Sequence, residues 1–195
     1  MQDTTSRYTR KEGVALIEIR LNSLQQLFNS FDPAPFHEKD LDHDAEDYIV
    51  GSVDEFPLSA PLKLVFHLPP DQMALAERVK LSDSIHNYFE YRLSAARRRL
   101  RFQLREGRIA LVIGLAFLFV CISLRQLAYA LPQGTASELL AEGLLISGWV
   151  AMWRPLQIFL YEWWPIRHSC RLYAKLAAIP VEVQCADAPA LPPVP

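Results

Sequence analysis

The sequence predicts a mostly α-helical membrane protein, in which a small α+β head precedes a two-helix transmembrane hairpin. Two observations predict the hairpin: an uncharged run of sixteen residues, Ile109–Leu124, and a second apolar pattern that begins after a polar turn. At 1.5 Å per residue the first run covers about 24 Å of a hydrocarbon core that is roughly 30 Å thick. A third observation, two alternating segments of strand type near the N-terminus, predicts the head.

The predicted head comprises residues 1–107. Val14–Leu21 and Pro61–Pro69 alternate apolar and polar residues, as half-buried strands do. Between them we expect a short helix over 23–29 and a second helix from about Asp44. The apolar face of that second helix consists of Ile49, Ser52, Val53 and Phe56. This order is compatible with a parallel strand pair. Because two strands rarely form a stable sheet, we expect them to pack on the following helix and to pair with another copy or another protein along an open edge.

A long amphipathic helix is predicted over 71–107, because apolar residues recur at helical spacing and no proline interrupts them. We expect this helix to continue into the first span, with Gly107 as a point where it can bend. Seven arginines, beginning at Arg92, stand against a single glutamate between 92 and 108. Attraction to anionic headgroups explains this block better than nucleic acid does, so no nucleic-acid partner is expected.

The predicted hairpin occupies 108–165, with spans at about 109–131 and 138–164 joined by a polar turn at 132–136. Ser137 suits the N-cap of the second span. The turn contains no Lys or Arg, whereas basic residues flank the other end of each span. Positively charged flanks stay inside, so we expect both termini in the cytoplasm. The overall pattern resembles that of small bacterial inner-membrane proteins with a soluble head and a helical hairpin, so we expect a bacterial inner membrane.

The chain after the second span is predicted to form a basic juxtamembrane helix over 166–185, because its basic residues recur every four positions. Residues 186–195 are proline-rich and are expected to be disordered. The basic residues of the two flanks are expected to contact lipid headgroups: Arg97, Arg98, Arg99, Arg101, Arg105, Arg108, Arg167, Arg171 and Lys175.

The stretch WRPLQIFLYEWWP brings polar residues into the second span. A helical wheel places Arg154, Gln157 and Tyr161 on one side with Glu162 on its flank, although Ile158 interrupts the polar sector. Lipid cannot satisfy Arg154. We therefore expect this stripe to face the first span, another copy or a partner.

Pro155 removes one helical hydrogen bond and predicts a bend in the second span. Either the helix crosses the bilayer and leaves near Trp164, or the span ends at Trp153 and the next residues lie in the interface. Ending at Trp153 leaves only eleven uncharged residues after Glu142, about 17 Å, which is short for a span. Length therefore favours the crossing helix.

Folding the hairpin about its turn predicts two charge pairs by depth. Arg125 comes opposite Glu142 near the outer face, and Arg105 or Arg108 comes opposite Glu162 near the inner face. Ionisable groups inside spans commonly find such partners. Separate snorkelling of each charge to the headgroups stays open as the alternative.

An acidic segment in the head contains four weak candidates for metal ligands: His37, Asp40, Asp42 and His43. A calcium loop that starts at Asp40 fails at its sixth and twelfth positions, and the two histidines lack a usual zinc spacing. Nine acids lie between 32 and 55. A helix N-terminus capped by Asp42 or Asp44, with the other acids solvated, explains the segment better.

The sequence contains no glycine-rich phosphate loop, no G-x-S-x-G elbow and no H-E-x-x-H pair, so no catalytic residue and no cofactor is predicted. We expect a membrane-anchored scaffold, adaptor or accessory subunit, whose partners are membrane lipids and either further copies or another membrane protein. One alternative is a homo-oligomeric channel or pore lined by the polar stripe. A second alternative is a metal-responsive or enzymatic head.

Overall fold

The structure, a computed structural model, describes residues 8–11, 13–29, 39–129 and 134–186. The chain divides into two compact units. The first, which we call the sheet unit, comprises residues 1–95 and 169–195, and the second, the helix-pair unit, comprises residues 96–168. The strands, all in the sheet unit, are β1 (Arg10–Lys11), β2 (Val14–Arg20), β3 (Leu62–Leu68) and β4 (Val181–Cys185). The helices of the chain are α1 (His43–Asp54), α2 (Pro70–Arg78), α3 (Leu81–Tyr129), α4 (Thr135–Ala151), α5 (Trp153–Gln157) and α6 (Trp163–Leu176).

The sheet has the order β1-β2-β3-β4. Strands β2 and β3, which the alternating pattern predicts, pair in parallel with Ala15 opposite Leu62. Strand β4 pairs in parallel with the other side of β3, and the short β1 pairs antiparallel with β2. Ile17, Leu64, Phe66 and Leu68 of the central strands are fully buried on one face of the sheet, because alternate side chains point to the same face.

Strand β4 corrects two predictions. The juxtamembrane helix predicted over 166–185 ends at Leu176, and Val181–Cys185 forms a strand instead. Pro180 cannot continue a helix, and the alternation that follows it suits a sheet edge. One edge of the predicted strand pair, expected to be open to another copy or another protein, is therefore covered by the chain's own β4. Residues 187–195, most of the predicted disordered tail, lie outside the described residues.

Helix α1 begins as predicted, with Asp42 as its N-cap: the Oδ1 atom of Asp42 accepts a hydrogen bond from the backbone N–H of Asp44 at 3.1 Å. A 3-10 helix, Leu24–Leu27, occupies the position of the short helix predicted over 23–29. The predicted core residues of the α1 segment, Ile49, Ser52, Val53 and Phe56, are all buried. Ile49, Val53 and Phe56 join one hydrophobic core with the sheet. The same core includes Leu81, Ile85 and Phe89 of α3 and Leu172 and Leu176 of α6.

The long helix predicted over 71–107 is interrupted. Helix α2 ends at Arg78, and Lys80 adopts a left-handed backbone conformation with φ of 49°. The hydroxyl of Ser84 donates to the backbone carbonyl of Val79 at 3.0 Å and so satisfies a group that the end of α2 leaves unpaired. Helix α3 then runs without a break from Leu81 through Gly107 to Tyr129, as the predicted continuation into the first span requires.

The helix-pair unit contains the two helices that are long and apolar enough to cross a membrane. In α4, Gly134 occupies the N-cap position predicted for Ser137, and the Ser137 hydroxyl accepts a hydrogen bond from the Gly134 N–H at 3.1 Å. The helix is interrupted at Met152, close to the bend predicted from Pro155, and a π-helical turn, Ile158–Glu162, follows α5. Residues 130–133, which include the end of the predicted first span and the start of the turn predicted at 132–136, lie outside the described residues.

Candidate functional site

Small residues form the contact between the two apolar helices. On α3 the buried positions of the helix-pair unit recur every seven residues: Gly107, Gly114, Cys121 and Ala128. On the second helix the same spacing joins three buried positions: Ala141, Gly148 and Pro155. A seven-residue repeat keeps one stripe facing the partner helix, and small side chains let two helices approach closely. We call this stripe the small-residue seam.

The glycines define the register of the seam. A Cβ atom on Gly107 would lie 2.8 Å from Cγ2 of Ile158, and one on Gly148 would lie 2.8 Å from Cδ1 of Leu118. A Cβ atom on Gly114 would lie 3.1 Å from the carbonyl oxygen of Ala151. Because later residues of α3 meet earlier residues of the second helix, the two helices are antiparallel.

The contact at Gly114 has a specific cause. Proline has no N–H, so Pro155 leaves the carbonyl of Ala151 without its usual helical donor. That carbonyl lies against Gly114, where a side chain would crowd it. The absence of a side chain on Gly114 therefore lets α3 pack against the irregular part of the second helix.

A charged cluster lies at one end of the seam. Arg154 donates from Nη1 to Glu162 at 2.7 Å and from Nη2 to Glu106 at 2.8 Å. The side-chain amide of Gln103 donates to the other carboxylate oxygen of Glu162. Ile158, which is fully buried, separates Arg154 from Glu162 along the helix and packs on Gly107. One arginine thus bridges a carboxylate on each helix.

The cluster corrects the predicted polar stripe. Arg154 and Glu162 face α3 together with Ile158, because residues four apart lie on one side of a helix. Gln157 and Tyr161 are exposed instead, Tyr161 by 67%. Ile158, which interrupted the polar sector on the wheel, is the residue at the centre of the contact face.

Both predicted charge pairs are absent from the described residues. Glu162 pairs with Arg154 rather than with Arg105 or Arg108, both of which are exposed. Arg125 donates to the hydroxyl of Tyr129 at 3.1 Å, one turn along the same helix, rather than to Glu142. Pairing by depth failed because it located each charge along the helix without the direction in which its side chain points.

The residues predicted to contact lipid headgroups have different surroundings. Those of α3 are exposed, as are two on α6: Arg97, Arg98, Arg99, Arg101, Arg105, Arg108, Arg167 and Arg171. The guanidinium of Arg167 lies over the ring of Trp163, 5.6 Å from its centroid. Lys175 is half-buried, and its ammonium donates to the backbone carbonyl of Pro57 at 3.1 Å, so the structure ties it to protein.

The metal candidates are not brought together within the part of the chain that the structure describes. Asp42 caps α1, and His43 lies 3.5 Å from Asp47 on the exposed side of that helix. The backbone carbonyl of Asp40 accepts a hydrogen bond from the N–H of Asn29. His37 lies outside the described residues. Among residues 39–129 and the other described segments, no three His, Cys, Asp or Glu side chains form a metal-binding group.

A buried carboxylate in the sheet unit was missed by the sequence reasoning. Glu46, expected among the solvated acids, is only 5% exposed. It accepts hydrogen bonds from Arg92 and from the hydroxyl of Tyr88, both at 2.7 Å. The hydroxyl of Tyr173 lies 3.4 Å from Glu46 and accepts a hydrogen bond from Arg92 at 3.2 Å. This network joins α1, α3 and α6, and Arg92, although 40% exposed, is bound by Glu46 of α1 within the sheet unit.

Comparisons of this chain with protein-family models, with curated proteins and with solved structures gave no match. Its function therefore has to be argued from geometry. The charged cluster and the Glu46 network both hold helices together, and neither places a nucleophile beside a general base.

Proposed function

We propose that this chain is an integral protein of a bacterial inner membrane that serves as a scaffold, adaptor or accessory subunit of a membrane assembly. The observation that carries the proposal is the helix-pair unit, whose two long helices expose many large apolar side chains while Arg154 pairs with Glu106 and Glu162. The two helices cross the membrane as a hairpin, and both termini lie in the cytoplasm.

Exposure supports the membrane location. Of the large hydrophobic side chains that are exposed in the described residues, all except Tyr48 and Tyr91 lie between 102 and 164. Only 17% of the most apolar stretch of each long helix is buried. Water disfavours an apolar surface of this extent, whereas a lipid bilayer is a solvent for it.

The strand pairing in the sheet supports placing the chain before and after the helix-pair unit on the same side of the membrane. Strand β3 precedes the helix-pair unit in sequence and β4 follows it, yet the two pair along five residues of each. A hairpin that crosses the membrane twice returns the chain to the side from which it left. The exposed arginines of the flanks then favour the cytoplasmic side for the sheet unit.

The ion pairs of Arg154 favour the function of a scaffold over that of a pore. A pore lined by the polar stripe would present its cation to water, whereas two carboxylates of the same hairpin bind Arg154. Gln157 and Tyr161 are left exposed on the second helix. Because polar groups near lipid favour protein partners, these two residues are the proposed contact with another subunit.

The membrane arrangement is tested by labelling single cysteines in whole cells with a membrane-impermeant maleimide, in a background without the native cysteines. Thr135→Cys, at the start of α4, should be labelled in intact cells after the outer membrane is permeabilised. Glu90→Cys, exposed on α3, should be labelled only after the inner membrane is opened. Equal labelling of the two positions in intact cells would contradict the hairpin.

The scaffold role is tested by purification in mild detergent followed by quantitative mass spectrometry. The paired substitution Gln157→Leu with Tyr161→Phe should remove a stoichiometric subunit that wild type retains. Gly143→Leu, at an open position of α4, is the matched control and should retain it. A wild-type monomer without any stoichiometric partner would contradict the proposal, and ion conduction by the purified protein in liposomes would favour the pore instead.

A further inference from the structure

Strand β4 leaves one side of the sheet open. The sheet order ends at β4, and among the described residues no strand pairs with its outer side. The other edge is different: β1 has only two residues, both basic, and such short charged edges resist pairing. The open edge of β4 is five residues long and includes a single charged residue, Glu182.

The hydrogen bonds between β3 and β4 show which backbone groups of β4 point outward. The N–H of Leu64 donates to the carbonyl of Pro180, and the N–H of Ala186 donates to the carbonyl of Leu68. In a parallel pair, alternate residues of a strand direct their backbone groups toward the same neighbour. The N–H and C=O groups of Val181, Val183 and Cys185 therefore point away from β3.

An apolar groove of about 230 Å³ lies beside this edge. It is lined by Val183 together with residues of α2 and the start of α3: Met73, Ala76, Glu77, Lys80, Leu81 and Ser82. A strand added beside β4 would direct every second side chain toward this groove, because side chains alternate between the faces of a sheet. An open edge next to an apolar groove is the arrangement that proteins use to bind an extended segment as an additional strand.

We propose that the occupant of this edge is β4 of a second copy, paired antiparallel about a two-fold axis at Val183. In this register Val181 lies opposite Cys185 of the other copy, so the outward backbone groups of the two strands meet. The apolar side chains of both strands then fall on the groove face. The inference needs only the sheet unit and does not rest on the proposed membrane function.

The opposite face of β4 also fits a second copy. Glu182 would lie opposite the amide of Gln184 rather than opposite another carboxylate, so the symmetric register brings no like charges together. Within one copy Glu182 already binds Lys63 and accepts a hydrogen bond from Gln184 at 2.8 Å. An isologous contact needs such self-complementarity, because the same patch serves both copies.

Disulfide formation in the full-length protein tests the register, in a background with Cys121→Ala and Cys170→Ala. Val181→Cys with native Cys185 should give a disulfide-linked dimer, because directly opposite residues of this kind lie about 5.5 Å apart between Cα atoms. Cys185 alone, or Val181→Cys with Cys185→Ala, should give none, because equivalent residues are then about 14 Å apart along the strands.

A proline substitution tests the edge itself. Val183→Pro removes an outward N–H, and an edge strand tolerates proline where the N–H does not serve the ladder. We expect light scattering in detergent to give half the wild-type protein mass, with an unchanged circular dichroism spectrum. If this variant does not fold, the disulfide pattern of the cysteine variants alone tests whether β4 pairs with β4 of a second copy.

Three results would overturn the proposal. They are a full-length wild-type protein that is monomeric by light scattering, a dimer with disulfides in the wrong register, and a β4 edge protected from hydrogen exchange in a protein that is monomeric. The last result would mean that another segment of this chain, or a different protein, covers the edge. None of them bears on the maleimide test of the hairpin, so the two proposals can fail separately.

Discussion

Replacing Glu46 by glutamine tests whether the buried network stabilises the sheet unit. The substitution keeps the shape of the side chain but removes its charge and turns one of its acceptor atoms into a donor. Either Arg92 or Tyr88, each 2.7 Å from the carboxylate, then faces an amide NH₂ and loses its acceptor.

The magnitude follows from burial. A hydrogen bond to a charged group contributes about 1.5–3 kcal/mol, and breaking a fully buried ion pair costs about 3–5 kcal/mol. Glu46 is 6% exposed in its side chain, but Arg92 is 40% exposed and keeps part of its hydration. We therefore expect Glu46→Gln to lower the free energy of unfolding by about 2–3 kcal/mol.

The measurement is urea unfolding of the full-length protein in detergent, followed by circular dichroism. Glu90→Gln, the same change at an exposed position of α3, is the control and should lie within about 0.5 kcal/mol of wild type. Adding Arg92→Met to Glu46→Gln should cost less than the sum of the two single changes, because the two side chains interact directly. A Glu46→Gln variant as stable as the control would refute the reasoning.

Three further outcomes are expected. In urea unfolding, Gly114→Leu should lower the free energy of unfolding by about 1–3 kcal/mol, because the new leucine side chain meets the Ala151 carbonyl. Gly143→Leu, at an open position, should not lower it. Lys63 and Gln184 lower the pKa of Glu182, so the stability that this carboxylate contributes is present above its usual pKa and is lost as pH falls through the lowered value; acid titration of Glu182→Gln should show a shallower loss. Arg154→Lys should lower the thermal unfolding temperature less than Arg154→Leu, because an ammonium keeps the charge but cannot bridge two carboxylates with separate N–H groups.

The elements with strong local signals were predictable from the sequence. The alternation in Val14–Leu21 gave β2 and its buried face, and the acids before Ile49 gave the cap of α1. Strand β4 was missed because it is short and follows a helix whose basic residues suggested continuation. The alternation in Val181–Cys185 is a weak local signal, and its pairing partner, β3, lies far away in sequence.

The charged residues of the site were recognised, but their partners were not. Arg154 and Glu162 were predicted to face protein, and the structure shows them facing α3. Predicting that Arg154 pairs with Glu106, and that Glu162 does not pair with Arg105, required the register of the two helices. The seven-residue repeat of Gly107, Gly114 and Cys121 carries that register and is visible in the sequence, so a search for small residues at this spacing would have found it. Glu46 and Arg92 offer no such signal, because only the packed core brings them together.

The pairing of β3 with β4 also sets the order in which the chain can fold. Leu64 pairs with Val181, 117 positions further along the chain. At a synthesis rate of about 5–20 residues per second, roughly 6–24 s separate the appearance of the two strands. During that interval one edge of β3 is unpaired, and it is covered only when β4 has been synthesised. The nascent sheet unit therefore stays incomplete until both apolar helices have been synthesised.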